Sequence, residues 1–113
     1  MSIVGVNHEA VRDFVVKCLQ RAPFEGVEVP QSRCEDGYYH DIVGTGFVAS
    51  IQWRDGSYSN VGRRTLRAGD EPTFELALLD AGGDFVKLTP YDDVLAYATL
   101  DEIIETILGV LNG

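Results

Sequence analysis

Cys34, His40 and Asp41 are the residue types that nucleophilic catalysis combines: a thiol, a base to take its proton and a carboxylate to orient the base. The neighbours of Cys34 disagree, since Arg33 favours thiolate while Glu35 and Asp36 oppose it, and no helix N-terminus is expected beside it. A small cysteine-dependent enzyme using Cys34 and His40 is therefore the alternative reading. Metal ligation could draw on His8, His40, Asp41, Asp92 and Asp93, but the chain has no His-x-x-x-His, His-Glu-x-x-His or EF-hand spacing. A phosphate cradle needs a glycine-rich loop between a strand and a helix. Gly44-Thr45-Gly46 leads into a strand instead, and Gly82-Gly83 sits in a hairpin turn. No metal or other cofactor is expected, and no catalytic residue is assigned. Cys18 and Cys34 are too few for a disulfide scaffold and too far apart for a Cys-x-x-Cys site, so both read as free thiols.

Residues that could bind are better represented than residues that could react. The net charge is −9, from 18 acidic and 9 basic residues, and it is unevenly distributed. Residues 1–53 carry 7 acids and 4 bases, residues 54–67 carry 1 acid and 4 bases, and residues 68–113 carry 10 acids and 1 base. The C-terminal acids Asp80, Asp84, Asp92, Asp93, Asp101, Glu102 and Glu105 suit a basic groove on a partner, in the manner of proteins that imitate phosphates. Trp53, Arg54, Tyr58, Arg63, Arg64 and Arg67 form a basic, aromatic segment of the kind that stacks bases and contacts phosphates. The acidic remainder opposes the approach of a polyanion, so direct nucleic-acid binding is disfavoured. Trp53, Tyr58, Tyr38 and Tyr39 are also the types that anchor protein interfaces, although the alternation of Trp53 with Ile51 and Phe47 points it at the core.

Elements that would hold these residues can be read from periodicity. From Asn7 to Ala22, Val11, Phe14, Val15, Cys18, Leu19 and Ala22 make one helical stripe, with Asn7 as N-cap and Pro23 as the stop. Phe47 to Arg54 alternates as a strand, and Asp55-Gly56 is a strong hairpin signal, so Ser57 to Leu66 is expected to return antiparallel, with Asn60 and Gly62 marking a bulge. A second hairpin is expected from Thr73–Leu79, a turn over residues 80–83, and Asp84–Thr89. Weaker strand signals lie at residues 24–29, 38–43 and 94–98. Thr99-Leu100-Asp101-Glu102 has the capping-box pattern and opens a helix to Leu111 with Leu100, Ile103, Ile104, Ile107, Leu108 and Leu111 inward. The expected fold is a single α+β domain over residues 1–113, a mainly antiparallel sheet of four to six strands with an N-terminal and a C-terminal helix packed on it.

At 113 residues and 45% hydrophobic content the chain can bury one core. Its most apolar stretch, residues 94–111, is broken by Asp101, Glu102 and Glu105, and no membrane association is expected. The opening residues lack the basic and apolar regions of a leader, so the expected location is the cytoplasm. Small size, acidity and the lack of an active-site motif resemble in type the phage-encoded inhibitors of host defence, anti-CRISPR proteins among them, and toxin-immunity proteins. That likeness carries no residue across. The expected function is a non-catalytic acidic inhibitor docking on a basic, nucleic-acid-handling protein, with a structural or assembly subunit as a further alternative and a homodimer compatible with either.

Overall fold

A computed structural model describes residues 7–30 and 34–113, so the opening hexapeptide read for a leader and Arg33 lie outside the described residues. The first element is the expected helix α1 (His8–Gln20). Asn7, in extended conformation, accepts the Ala10 N–H on Oδ1 at 3.1 Å, with Glu9 in the first turn and Lys17 in the last, an arrangement matched to the helix dipole. Val15 and Leu19 are buried, whereas Phe14, expected on the same stripe, is 43% exposed.

Five strands follow, β1 (Gly26–Glu28), β2 (Gly37–Ile42), β3 (Val48–Gln52), β4 (Phe74–Leu79) and β5 (Val94–Ala98), before helix α2 (Leu100–Asn112). They form one antiparallel sheet in sequence order, so the fold is the α+β architecture expected, and each weak strand signal became a strand. The capping box of α2 is present: Thr99 Oγ1 accepts the Glu102 N–H at 3.2 Å while the Glu102 carboxylate accepts the Thr99 N–H at 2.9 Å. Ile103 and Ile107 are fully buried; Ile104, Leu108 and Leu111 are only half-buried.

Two expectations fail, for the same reason. Asp55-Gly56 does turn, with Gly56 at φ +79°, but residues 57–66 form no return strand. β3 already has β2 on one edge and β4 on the other, so no ladder remains for a hairpin partner. The segment is instead a chain of turns held by side chains. Asn60 accepts the Thr73 N–H at 2.8 Å and donates its own N–H to Thr73 Oγ1 at 2.8 Å, and its amide reaches the Glu71 carbonyl at 3.0 Å. Asn60 is thus the hub of a loop and not a bulge. The second hairpin survives as the turn at Asp80 and one bridge, Leu79 to Phe85, because β5 takes the remaining length of that edge of β4.

Alternation sorts the strands into two faces. Tyr38, His40 and Ile42, Ala49, Ile51 and Trp53, and Phe74, Leu76 and Leu78 are buried on the face that meets both helices, in one cluster with Val15, Leu19, Ile103 and Ile107. The other face presents Tyr39, Asp41, Ser50, Gln52, Glu75 and Ala77, and neither of the two described helices packs on it. Along β5 the pairing slips between Phe74 and Leu76, and Tyr97 takes φ +50°, an uncommon conformation for a bulky side chain.

Candidate functional site

The reactive trio is taken apart by the sheet. A Cβ on Gly37 would lie 2.5 Å from Gln52 Oε1 and 2.7 Å from Cys34 Sγ, and Gly37 pairs with Gln52, so the thiol sits over the open face. His40 lies on the covered face, and Asp41, one residue on, points away from it. Burial, then Asp36, pushes the Cys34 thiol up, against the pull of Arg12 and Arg54. That is the opposite of an activated nucleophile. Arg12 bridges this region, donating to the Cys34 carbonyl and to Glu28 Oε2 at 3.3 Å. Cys18 and Cys34 are both free and half-buried.

His40 has a different environment, which its sequence position did not announce. Its Nδ1 lies 2.9 Å from the Tyr38 hydroxyl, the Phe24 ring stands edge-on at 6.3 Å, and only 3% of the residue is exposed. Nε2 is buried without a hydrogen-bond partner among the described residues and fills the space over Gly26, where a Cβ would collide with it. Burial lowers the pKa of this imidazole, with Asp41 pulling it partly back, so the ring is neutral near pH 7. Burial and Glu28 push the Tyr38 hydroxyl up. The readable signal was Tyr38-x-His40-x-Ile42, three inward positions of one strand. Tyr38 therefore leaves the aromatic surface set, while Tyr39 and Tyr58 remain on it. His8 is engaged elsewhere, accepting the Trp53 Nε1–H at 3.1 Å, and no group of three metal-ligating side chains occurs among the described residues.

The basic segment keeps its arginines and loses its tryptophan. Trp53 is 1% exposed and packs edge-on against Phe74 at 5.9 Å, which corrects its assignment to the binding surface: it continues the inward alternation of β3. Tyr58 is 53% exposed, with the Arg63 guanidinium 5.1 Å above its ring and Tyr97 edge-on at 6.3 Å. Its N–H donates to Glu75 Oε2 at 2.9 Å, and Arg64 pairs with Asp55 at 3.2 Å. Asp55 thus takes up part of the positive charge. Arg54 is exposed at the end of β3 and makes no ion pair among the described residues.

The seven acids divide by what their oxygens do. Asp80 Oδ1 accepts the Gly82 and Asp84 N–H groups at 2.9 and 3.0 Å, Asp92 Oδ1 accepts the Val94 N–H at 3.1 Å, and Glu102 serves the capping box. The side chains of Asp84, Asp93, Asp101 and Glu105 are exposed and make no hydrogen bond or ion pair among the described residues. Asp84 and Asp93 lie at one end of the sheet. Asp101 and Glu105 stand one turn apart on α2, which begins at the other end, where Ala98 pairs with Phe74. The acids therefore form two groups and not one face. None of the described helices is long and apolar enough to cross a membrane. No protein family, curated protein or solved structure matches this chain.

Proposed function

We propose that this chain is a non-catalytic, acidic protein-binding module, an inhibitor in the style of phage anti-defence and immunity proteins, that docks carboxylates on a basic surface of a nucleic-acid-handling partner. The observation that carries the reading is that Asp84, Asp93, Asp101 and Glu105 are exposed and unpartnered among the described residues, in a region whose only base is Lys87. Asp101 complements the dipole of α2 from its first turn, while Asp84, Asp93 and Glu105 neither cap nor pair among the described residues, and a basic partner would engage all four. The placement of Cys34 over the open face and of His40 on the covered face favours this reading over the enzyme alternative. Such a partner would be met in the cytoplasm.

The test uses the chain as bait in a host lysate, with the triple variant Asp93→Lys, Asp101→Lys, Glu105→Lys beside Arg63→Glu, Arg64→Glu. The expected result is capture of a DNA- or RNA-binding protein that is lost in the acidic-site variant, kept in the arginine variant and weakened steeply between 50 and 500 mM salt. Added chain should also displace a labelled oligonucleotide from that protein. Capture indifferent to salt and to the acid reversals, or lost only with the arginines, refutes the proposal.

A further inference from the structure

The two halves of α1 are held to the sheet in different ways. Its buried residues, Val15 and Leu19, both lie in the C-terminal half, and Phe14 is 43% exposed. Beside the N-terminal half, a groove of about 200 Å³ runs between Val11 and Phe14 of the helix and Val61, Pro72 and Phe74. Apolar packing is incomplete there, and polar contacts hold that end. Arg12 donates to the Cys34 carbonyl, and His8 accepts the Trp53 indole N–H at 3.1 Å.

The second of these contacts fixes the state of the ring. An indole nitrogen only donates, so His8 Nδ1 carries a lone pair and the imidazole is neutral, with its proton on Nε2. Nε2 lies 4.0 Å from Glu35 Oε1, too far for a hydrogen bond but close enough for attraction once the ring is charged. Protonation sets a new N–H at Nδ1 against the N–H of Trp53, donor facing donor, and adds the pull of Glu35. Trp53 cannot follow the ring, because it is 1% exposed, packs on Phe74 and ties its backbone N–H to the Asp36 carbonyl at 3.0 Å. The other charged groups on the elements that meet here are Glu9 and Arg12 of α1, Asp36 before β2 and Arg54 after Trp53. Among the described residues none of them pairs with His8.

We propose that His8 is an acid-sensitive latch: neutral, it ties the first turn of α1 to Trp53, and protonated, it swings to Glu35 and lets that turn lift from the sheet. The lifted turn widens the groove beside Phe74, so acid exposes apolar surface at one end of the helix while Val15 and Leu19 keep the other end seated. The latch is separate from His40, whose ring is held by Tyr38 beside β1.

Trp53 is the only tryptophan of the chain, so its fluorescence reads the latch directly. Acrylamide quenching of the wild type should rise about twofold or more from about pH 7.5 to about pH 5, the range in which histidine changes charge. His8→Gln keeps an acceptor for the indole N–H and cannot be charged, so its quenching should stay low and flat with pH. His8→Ala, which has no acceptor, should be quenched at neutral pH as the wild type is in acid. Glu35→Gln removes the carboxylate to which the charged ring turns and should move the transition to lower pH. His40→Phe should leave the curve in place, which separates this latch from the buried imidazole. Far-UV circular dichroism, followed in parallel, should stay constant through the transition. A flat wild-type curve, a curve that persists in His8→Gln or disappears in His40→Phe, or a far-UV signal that collapses together with the fluorescence overturns the proposal.

Discussion

The same five strands present two faces, and the faces handle polar groups in opposite ways. On the covered face Tyr38 and His40 are sealed under α1 and the edge of β1, sharing one hydrogen bond and leaving Nε2 unmatched among the described residues. On the open face Ser50 and Gln52 are nearly as inaccessible, at 6% and 8% exposure, yet they bond each other beside a groove from which water can reach the amide. Burial is similar, and the cost of an error is not. A polar group without water has to find a protein partner or bear its desolvation, about 1–3 kcal/mol, while one beside a groove can borrow a solvent molecule. The covered face should therefore be rigid and intolerant of substitution, and the open face permissive.

The largest expected difference is in packing. Ile107→Ala should lower stability by ~2–5 kcal/mol in urea denaturation, because Ile107 is fully enclosed between the helices and the sheet. Ile104→Ala should cost clearly less. Equal losses at the two positions would mean that the stripe of α2 faces another way.

Next comes the close approach at β1. Gly26→Ala puts a methyl where the imidazole now lies, so it should cost ~1–3 kcal/mol as the ring is driven off Tyr38. In a His40→Ala background the same substitution should be nearly neutral. Simple additivity of the two changes would deny that they share this space.

Acid should then distinguish the faces. The folded pKa of His40 lies below the unfolded value of ~6.5, so the unfolded chain takes up the proton first. Stability is full above that pH and falls as pH drops through the folded value. His40→Phe should flatten the stability profile between pH 7 and 5 relative to the wild type, measured as the shift in urea midpoint, whereas Gln52→Ala should leave its slope unchanged.

The smallest effects belong to the open face. Ser50→Ala should cost at most ~1 kcal/mol, the net worth of one hydrogen bond, and Asp84→Lys should change the melting free energy by less than ~0.5 kcal/mol. A loss of several kcal/mol at Ser50 would show that this face is as sealed as the other.

Much of the covered face could be read from the chain, because each signal there was local. Asn7 and Thr99 announced the helix starts with their side chains, and the alternation of Ala49, Ile51 and Trp53 identified the inward set of β3. What escaped was competition between segments. Asp55-Gly56 encodes a turn correctly, but whether Ser57–Leu66 then becomes a strand depends on β4, some twenty residues later, having taken the free edge of β3. Ser50 and Gln52 look like solvent positions in the strand pattern, and they are buried because β3 is the central strand with neighbours on both sides. Among site residues, the arginines and acids were legible as exposed charge. Neither the side of the sheet that Cys34 and His40 each take nor the division of the acids between turn capping and solvent could be seen without the register.

The strain at Tyr97 bears on how the sheet ends. An uncapped last strand offers a row of backbone donors and acceptors onto which another extended chain can add, which is the first step of fibril growth. At Tyr97 the backbone is turned out of the strand conformation at φ +50°, and its N–H is given to the Tyr58 carbonyl at 2.8 Å. The opposite border, β1, is only three residues long. Neither margin offers a straight template, which would let a chain with an exposed aromatic sheet face remain dispersed at high concentration.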